Sequence, residues 1–173
     1  MEMFEDSENP DNVRRWMQLG EHHVVASGAP GRRTLERWRD AGVTDVITLQ
    51  RADEMAPWLA QACAERSLRW HHAPVSGKRL QAKGDAASLA DVIRIVREMD
   101  APSRVVVHCS AGLHRTGVAL YLLLRAQGLS PQDSLARIEA GRALTARELT
   151  RTPRHGERLA QTAETMWSAL QGS

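Results

Sequence analysis

Apolar residues along this chain follow two patterns that alternate. Short runs that are β-branched or continuously apolar are typical of strands; they lie near residues 21–27, 43–49, 68–75 and 104–108. Apolar residues spaced three and four apart are typical of helices; they lie near residues 35–41, 56–66, 89–99 and 116–127, from Pro131 onward, and over 144–170 with a break near Pro153 and Gly156. Strands that alternate with helices and then give way to helices alone predict an α/β fold. We expect a central, largely parallel sheet flanked by helices, with a helical C-terminal part.

Polar residues at the ends of these segments indicate where two helices begin. Thr34 is predicted to cap the first helix, and Asp85 to cap the third, after a loop over Ser76–Lys83. The run Val105–Val107 is continuous and apolar, which is typical of a central strand buried on both faces. Because ligands in such sheets bind beyond the carboxyl ends of the strands, we expect the residues after this run to line a crevice.

The composition fits one folded domain and excludes a disulfide-rich scaffold. The 173 residues are 42% hydrophobic and 25% charged, which is the ordinary globular range. Residues 1–12 are acidic and polar and are predicted to be a flexible N-terminus, while residues 13–173 are predicted to form a single domain. Two cysteines are too few for the disulfide framework of a small secreted protein.

Charge and hydropathy indicate the compartment and the class of partner. No apolar run approaches the roughly 18 residues of a membrane span. The acidic N-terminus lacks the positive segment of a signal peptide, so we expect a cytoplasmic protein. A net charge of +2 is too small to require a nucleic-acid partner.

The segment from His108 to Gly117 carries the candidate chemistry. A glycine-containing loop between a strand and a helix directs several backbone N–H groups toward one point at the positive helix end, which forms an anion site. Arg115 adds a planar set of donors that matches phosphate oxygens. Cys109 lies at the floor of this loop, and cysteines so placed have pKa values of about 3.5–7.5 rather than about 8.5. A thiolate that faces a bound phosphate is a nucleophile suited to phosphoryl transfer.

An alternative for Cys109 is a small buried residue without chemistry, as free cysteines usually are. That interpretation does not account for Arg115, Thr116 and two glycines at fixed spacing beside it. Cys63 lies between alanines on a predicted helical face and has no such neighbours. We therefore interpret Cys63 as a core residue and Cys109 as a nucleophile.

The motif His-Cys-x5-Arg-Thr over residues 108–116 resembles the signature of the cysteine-dependent protein tyrosine and dual-specificity phosphatases. Residues 27–30 and 42–49 are similar to the start of small bacterial dual-specificity-like members of this family. The resemblance covers residues from about 20 to 150. It implies a dual-specificity phosphatase-like fold and a phosphocysteine mechanism that needs no metal or other cofactor.

The resemblance also implies a role for each residue of the motif. Cys109 would attack phosphorus, and Arg115 with the backbone N–H groups of the loop would bind the phosphate oxygens. Thr116 would assist breakdown of the intermediate by hydrogen bonding near the Cys109 sulfur. His108 would hold the loop and help keep Cys109 ionised, with a packed strand-end histidine as the alternative. The remaining phosphate-binding positions are Ser110, Ala111, Gly112, Leu113 and His114.

The general acid is the point at which the chain departs from the family pattern. The family places an Asp on a loop about thirty residues before the Cys, which here falls near Ser76–Arg79 and holds no carboxylate. Asp85, at the far end of the same loop, is the candidate that we favour, with Asp53 and Glu54 as alternatives. A good leaving group, such as an aryl oxide or a phosphoanhydride, would reduce the need for an acid.

Other polar residues near the predicted crevice have more than one interpretation. His114 stands where the family often has Gly, and it either approaches a substrate or points to solvent. Lys78 and Arg79 either attract an acidic substrate or are solvated loop residues. His71 and His72 are adjacent on a predicted strand and point to opposite faces, so we expect no metal site there.

These patterns predict a phosphoric monoester hydrolase that acts on phosphotyrosine, or on phosphoserine and phosphothreonine, in proteins. A phosphatase of a phosphoinositide, a nucleotide or an RNA 5′ phosphate would share the chemistry. A phosphate-binding pseudophosphatase is motivated by the missing acid, although intact Cys109 and Arg115 count against it. A sulfurtransferase or an arsenate reductase also uses a cysteine in an anion-binding loop, but Cys63 is poor support for the further redox cysteines of such a reductase.

Overall fold

The computed structural model describes residues 3–4, 13–76, 80 and 82–172. The strands in these ranges are β1 (Met3–Phe4), β2 (Arg14–Arg15), β3 (Met17–Leu19), β4 (His22–Ser27), β5 (Asp45–Thr48), β6 (Arg69–His72) and β7 (Arg104–His108). The helices are α1 (Arg32–Asp40), α2 (Leu59–Ala64), α3 (Ala82–Glu98), α4 (His114–Ala126), α5 (Pro131–Gly141), α6 (Ala143–Thr150) and α7 (Leu159–Gln171).

Five strands form the main sheet, in the order β3-β4-β7-β5-β6. The pairs β4–β7, β7–β5 and β5–β6 are parallel, and the edge strand β3 runs antiparallel to β4. The prediction of a central, largely parallel sheet flanked by helices is therefore confirmed. Strand β3 spans three residues, which is too short for its alternation of buried and exposed side chains to stand out in the sequence.

Strand β7 lies at the centre of the sheet and is buried on both faces, as its apolar run predicts. In Val105–Val107 the first and third valines belong to the larger core with α3 to α7, and the second belongs to the smaller core with α1 and α2. The register pairs His108, the last residue of β7, with Ser27 of β4 and Thr48 of β5. Three strands therefore end at the same level.

Helix α4 is buried on all sides. Every residue from Arg115 to Leu124 is buried, and the helix contacts α3, α5, α6, α7 and β7. A helix that is buried all round belongs to the core rather than to an amphipathic surface layer. The connection between β7 and α4 is thus anchored in the core at both ends.

Two predicted helix caps are wrong. Helix α1 begins at Arg32 with Gly31 at its N-cap, so Thr34 lies inside the helix and makes no cap. Helix α3 begins at Ala82, so Asp85 lies in its first turn. Asp85 does not cap the helix because its carboxylate makes a longer-range contact and accepts the backbone N–H of Ser76, nine residues earlier, at 2.9 Å.

The N-terminal segment is described only in part. Met3–Phe4 pairs antiparallel with Arg14–Arg15, so this piece of residues 1–12 is in a strand. The rest of the predicted flexible N-terminus lies outside the described residues. Within the part of the chain that the structure describes, no helix is both long and apolar enough to cross a membrane.

Candidate active site

A short loop turns the central strand into the buried helix. Cys109 follows β7 directly and α4 begins at His114, so residues 109–113 form this connection, which we term the cysteine loop. The loop lies at the carboxyl edge of the parallel strands, where the sequence predicts the crevice. The backbone N–H of Gly112 donates to Cys109 Sγ at 3.3 Å. This N–H and the positive end of α4 both favour negative charge at the sulfur.

Gly112 is required by the shape of the cysteine loop. Its φ of 70° lies in the left-handed region that favours glycine. A Cβ at this position would lie 2.2 Å from the carbonyl oxygen of Ser27 and 2.6 Å from the guanidinium of Arg142. The segment after β4 also contacts the cysteine loop, because the Ala29 N–H donates to the Ser110 carbonyl at 3.0 Å. Any larger residue at position 112 would displace the loop from this backbone.

Two side chains from the C-terminal helical part hold the cysteine loop through its carbonyl oxygens. The Arg142 guanidinium donates to the carbonyls of Gly112 at 2.7 Å and Ala111 at 3.3 Å, and the Thr145 hydroxyl donates to Gly112 at 3.0 Å. Burial lowers the pKa of Arg142 to about 10, which leaves it protonated at neutral pH. In a trans peptide the N–H points away from the C=O. Arg142 and Thr145 hold the loop carbonyls on one side of the loop, so the N–H groups on its opposite side stay available to bind an anion.

The Cys109 thiol is buried, with 3% of its surface exposed, yet its pKa lies below the ordinary value. Burial by itself would raise the pKa. The hydroxyl and backbone N–H of Thr116, the N–H of Gly112 and the charge of Arg115 outweigh that effect. Thr116 Oγ1 is buried, and no other group among the described residues bonds to it, so its hydrogen is left for the Cys109 sulfur. These groups favour the thiolate, which is the nucleophilic form.

The Arg115 side chain is buried and held by three acceptors. Its Nη1 donates to Glu54 Oε2 at 2.7 Å and to the Val75 carbonyl at 3.3 Å. Its Nη2 donates to Ser110 Oγ at 3.1 Å. The guanidinium is therefore fixed against the cysteine loop, where a bound phosphate would meet it.

Glu54, one of the alternatives for the general acid, is in the site as the partner of Arg115. The backbone N–H of Arg51 and the Arg115 guanidinium hold the pKa of Glu54 below its usual value. A carboxylate that stays ionised is a poor proton donor, so this arrangement favours positioning of Arg115 over acid catalysis. Asp53, the other alternative, is exposed and paired with Arg51 at 3.2 Å.

His108 is fully buried at the end of β7. Its Nε2 lies 2.7 Å from Thr48 Oγ1, and its Nδ1 lies 3.4 Å from the Cys109 carbonyl oxygen. Burial lowers the pKa of His108 to about 4, so the ring is neutral at neutral pH. Any support that His108 gives to the ionised Cys109 therefore comes from its position and not from a positive charge.

Asp85 is buried in the first turn of α3, and its contact with the Ser76 N–H ties that turn to the segment that follows β6. The structure therefore brings Asp85 to the base of the loop that the sequence predicts beside the pocket, and its role as the acid stays a prediction. Lys78 and Arg79, on the same loop, lie outside the described residues.

His114 neither reaches into the cysteine loop nor stands free in solvent. Its Nε2 lies 2.9 Å from Glu148 Oε2 on α6, and the His114 side chain is 58% exposed. The His114 contact, with a smaller effect from Arg151, lowers the pKa of Glu148. Neither of the two interpretations from the sequence included this pairing, because nothing local connects positions 34 residues apart.

The two adjacent histidines of β6 point to different partners, as their alternation predicts. His71 Nε2 lies 2.8 Å from Asp45 Oδ1, and His72 Nε2 lies 2.8 Å from the Gln50 carbonyl oxygen. Among the residues described, no three or more His, Cys, Asp or Glu side chains are grouped so as to hold a metal ion.

The fold and the cysteine loop define a phosphatase of the cysteine-dependent type. Residues 27–169 match the Tyrosine phosphatase family, and because this range is most of the chain, the protein belongs to that family. No curated protein matches the chain at a significant level.

Several solved structures share the fold at low sequence identity. Kinase associated phosphatase, with its catalytic-site cysteine replaced by serine, has a TM-score of 0.70 and 14% identity over 96% of this chain and 99% of that one. Tk-PTP in its active form has a TM-score of 0.63 and 19% identity over 88% and 96%. The core catalytic domain of the PP-IP phosphatase SIW14 from S. cerevisiae, in complex with citrate, has a TM-score of 0.62 and 15% identity over 86% and 83%.

Proposed function

We propose that this protein hydrolyses phosphotyrosine in proteins through a phosphocysteine intermediate. The observation that carries the proposal is the position of the Cys109 thiol at the start of α4, with the Gly112 N–H on its sulfur and a pKa below the ordinary value. Membership of the Tyrosine phosphatase family supports phosphotyrosine as the substrate.

In the first step Cys109 Sγ attacks phosphorus. A sulfur–phosphorus bond forms while the bond from phosphorus to the leaving oxygen breaks. The backbone N–H groups of residues 110–114 and the Arg115 guanidinium bind the three other phosphate oxygens and stabilise the charge that develops on them. Glu54 and Ser110 hold the guanidinium beforehand, so less reorganisation is needed when the phosphate binds.

In the second step water attacks phosphorus, the sulfur–phosphorus bond breaks, and inorganic phosphate leaves. The proton that the water loses returns to the acid that protonated the leaving oxygen in the first step. The sulfur departs as a thiolate, and the Thr116 hydroxyl stabilises it by donating a hydrogen bond. His108 is neutral and holds the cysteine loop through the Cys109 carbonyl.

We assign proton donation to the leaving oxygen to Asp85, at the start of α3. Asp53 and Glu54 are paired with the cations Arg51 and Arg115, whereas Asp85 accepts the neutral N–H of Ser76, and this difference supports the choice. A tyrosine oxygen leaves with an ordinary pKa of about 10, far below that of an alkyl alcohol, so phosphotyrosine makes the smaller demand on an acid. That difference supports phosphotyrosine over phosphoserine or phosphothreonine.

The proposal is tested by comparing kcat/KM in the presence of a metal chelator for a panel of substrates. The panel contains phosphotyrosine, phosphoserine and phosphothreonine peptides, a phosphoinositide, a nucleotide and an RNA with a 5′ phosphate. We expect the phosphotyrosine peptide to give the highest value. A higher kcat/KM for the phosphoinositide, the nucleotide or the RNA would show that the substrate is not a protein. Tight phosphopeptide binding without turnover would indicate a phosphate-binding pseudophosphatase.

The acid assignment has its own test in the pH–rate profile of Asp85→Asn. We expect the basic limb of the profile to disappear and the rate on a phosphotyrosine peptide to fall by about 10²–10⁴. Asp91→Asn, also on α3 but exposed and paired with Arg94, is the matched control and should keep the basic limb. An unchanged profile in Asp85→Asn would move the assignment to Asp53.

A further inference from the structure

The edge strand β6 supplies no group to the proposed reaction, yet two of its side chains begin hydrogen-bonded routes to the cysteine loop. Trp70 and His72 are two residues apart, so they share one face of the strand. Their rings stack at 5.3 Å between centroids, with 23° between the planes.

The first route runs from Trp70 to the Cys109 carbonyl. The indole N–H of Trp70 donates to Thr48 Oγ1 at 2.9 Å. Because an indole nitrogen only donates, Thr48 Oγ1 is the acceptor, and its own hydrogen is free for His108 Nε2 at 2.7 Å. His108 then accepts at Nε2 and carries its proton on Nδ1, which faces the Cys109 carbonyl oxygen at 3.4 Å. The Trp70 N–H occupies one lone pair of the Thr48 hydroxyl and orients its hydrogen toward His108 Nε2, which favours the same His108 tautomer that the Cys109 carbonyl, as an acceptor, requires.

The second route runs from His72 to Arg115. A carbonyl oxygen only accepts, so His72 Nε2–H donates to the Gln50 carbonyl at 2.8 Å. The Gln50 side chain in turn donates to Ser110 Oγ at 3.2 Å. Ser110 Oγ also accepts from Arg115 Nη2, at 3.1 Å, so the position of Gln50 sets the position of the group that holds the guanidinium.

Both routes pass through buried polar groups, which makes their geometry restrictive. Thr48 and His108 are 0% exposed, and Gln50 is 5% exposed. Register places Thr48 opposite His108 on one side and opposite His72 on the other, so three neighbouring strands carry the contacts. A buried polar group that loses its partner is costly, so Thr48, His108 and Gln50 are each held to one orientation.

We propose that Trp70 and His72 are positioning residues for the cysteine loop. Trp70 acts through Thr48 and His108, and it keeps the loop in the shape in which the N–H groups favour the Cys109 thiolate. His72 acts through Gln50, and it keeps the phosphate-binding side chains in place. The inference rests on the proposed function for its catalytic meaning, although both effects are measurable without turnover.

The first route is tested by the rate at which iodoacetamide alkylates Cys109 as a function of pH, read by mass spectrometry of the Cys109 peptide. Thr48→Val keeps the shape of the side chain and removes the hydroxyl, and Trp70→Phe keeps a ring and removes the N–H. Each should raise the pKa of Cys109 by about 0.5–1 unit, which corresponds to one net hydrogen bond. Thr48→Ser restores the hydroxyl and should restore the wild-type pKa.

Trp167→Phe is the matched control for the first route. Trp167 lies on α7 against the larger core and stacks with Arg125, with no contact to either route among the described residues. We expect its Cys109 pKa to equal that of the wild type. The inference is overturned if Thr48→Val and Thr48→Ser give the same Cys109 pKa, or if Trp70→Phe leaves that pKa unchanged.

The second route is tested by the dissociation constant of inorganic phosphate, measured by calorimetry. His72→Phe keeps the stacking on Trp70 and removes the N–H on Gln50, and phosphate should bind about three- to tenfold more weakly. His71→Gln, whose wild-type side chain contacts Asp45 on the opposite face, should lower the melting temperature without changing phosphate affinity. Equal phosphate affinity in His72→Phe and wild type would overturn this half of the inference.

These measurements separate the inference from the proposed function. If the wild-type protein turns over no phosphorylated substrate, the proposed function fails, while the thiol pKa and phosphate affinity still report on Trp70 and His72. If turnover is found but both quantities are insensitive to Thr48→Val and His72→Phe, the inference fails and the proposed function stands.

Discussion

Both cysteines of this chain are buried, but their surroundings change the two thiol pKa values in opposite directions. Cys63 is 0% exposed in the smaller core, and burial raises its pKa to about 11. Cys109 is 3% exposed, and its pKa lies below the ordinary value. Burial is nearly equal at the two sites, so it cannot be the cause of the difference.

The difference lies in the donors around each sulfur. Cys63 sits inside α2 against apolar neighbours, and the charge of Arg66 lowers the Cys63 pKa by less than burial raises it. Cys109 lies before the first turn of α4, where backbone N–H groups have no partner within the helix. The Cys109 thiolate is favoured because of where the chain places this cysteine between strand and helix, and not because the side chain is exposed.

Substitution of each cysteine in turn should give the largest difference in activity between the two sites. Cys109→Ser should lower kcat/KM on a phosphotyrosine peptide by at least about a thousandfold, because a serine hydroxyl stays protonated where the thiol ionises. Cys63→Ala should leave kcat/KM within about twofold, since Cys63 belongs to the smaller core and Cys109 to the larger one. Steady-state rates of the two variants measure this contrast. Full activity in Cys109→Ser would contradict the proposed role of Cys109.

The charge of Arg115 beside Cys109 should make the next largest contribution to the rate. Arg115→Ala removes a donor to the developing phosphate charge, and kcat should fall by about 10²–10³. Glu54→Gln keeps a hydrogen bond to Arg115 and loses the ion pair, so its effect should be smaller and should appear mainly in KM. Steady-state kinetics of both variants distinguish these outcomes. A larger loss of kcat in Glu54→Gln than in Arg115→Ala would make Glu54 a reacting group.

His108, which adjoins Cys109 in the chain, should make stability depend on acid pH. Its pKa is about 4 when folded and ordinarily 6.5, so below pH 6.5 the unfolded chain takes up a proton that the folded chain does not. Stability is therefore lost as pH falls from about 6.5 to about 4, by up to about 3 kcal/mol. Urea unfolding of wild type and His108→Gln over this range measures the contribution. Parallel curves for the two proteins would contradict a neutral buried His108.

Cys63 should have the smallest effect on stability, and that effect should appear at alkaline rather than acid pH. An unfolded thiol ionises near pH 9, whereas the folded Cys63 stays neutral to about pH 11, so stability falls as pH rises between these values. At pH 10 we expect a loss of about 1 kcal/mol that is absent in Cys63→Ala. The measurement is the slope of unfolding free energy against pH for both proteins. Equal slopes would show that Cys63 is not held neutral by its core.

Local patterns in the sequence predict the centre of this fold and the cysteine loop. The run Val105–Val107 is apolar because it is buried on both faces, and the residues from Cys109 to Arg115 are contiguous, so their geometry follows from one strand-to-helix turn. The dual-specificity phosphatase-like fold predicted from these features and from the resemblance is confirmed.

Contacts between distant segments could not be predicted in this way. Arg142 reaches the Gly112 carbonyl from 30 residues further along the chain, and Glu54 reaches Arg115 from 61 residues before it. Nothing in the neighbourhood of Arg142 sets it apart from the many other arginines of the chain. Glu54 is a candidate from the sequence as a general acid, but no local pattern indicates its ion pair with Arg115. The cap predicted at Asp85 is wrong for the same reason, because its carboxylate accepts the backbone N–H of Ser76, nine residues earlier.

The most direct test of the central claim is to trap the intermediate. The protein is mixed rapidly with an aryl phosphate, quenched in acid within the first turnover, and digested, and the peptides are examined by mass spectrometry. The proposed chemistry predicts phosphate on the peptide that contains Cys109 and none on the peptide that contains Cys63. Turnover of the aryl phosphate with the phosphate found on any residue other than Cys109 would contradict the proposed chemistry.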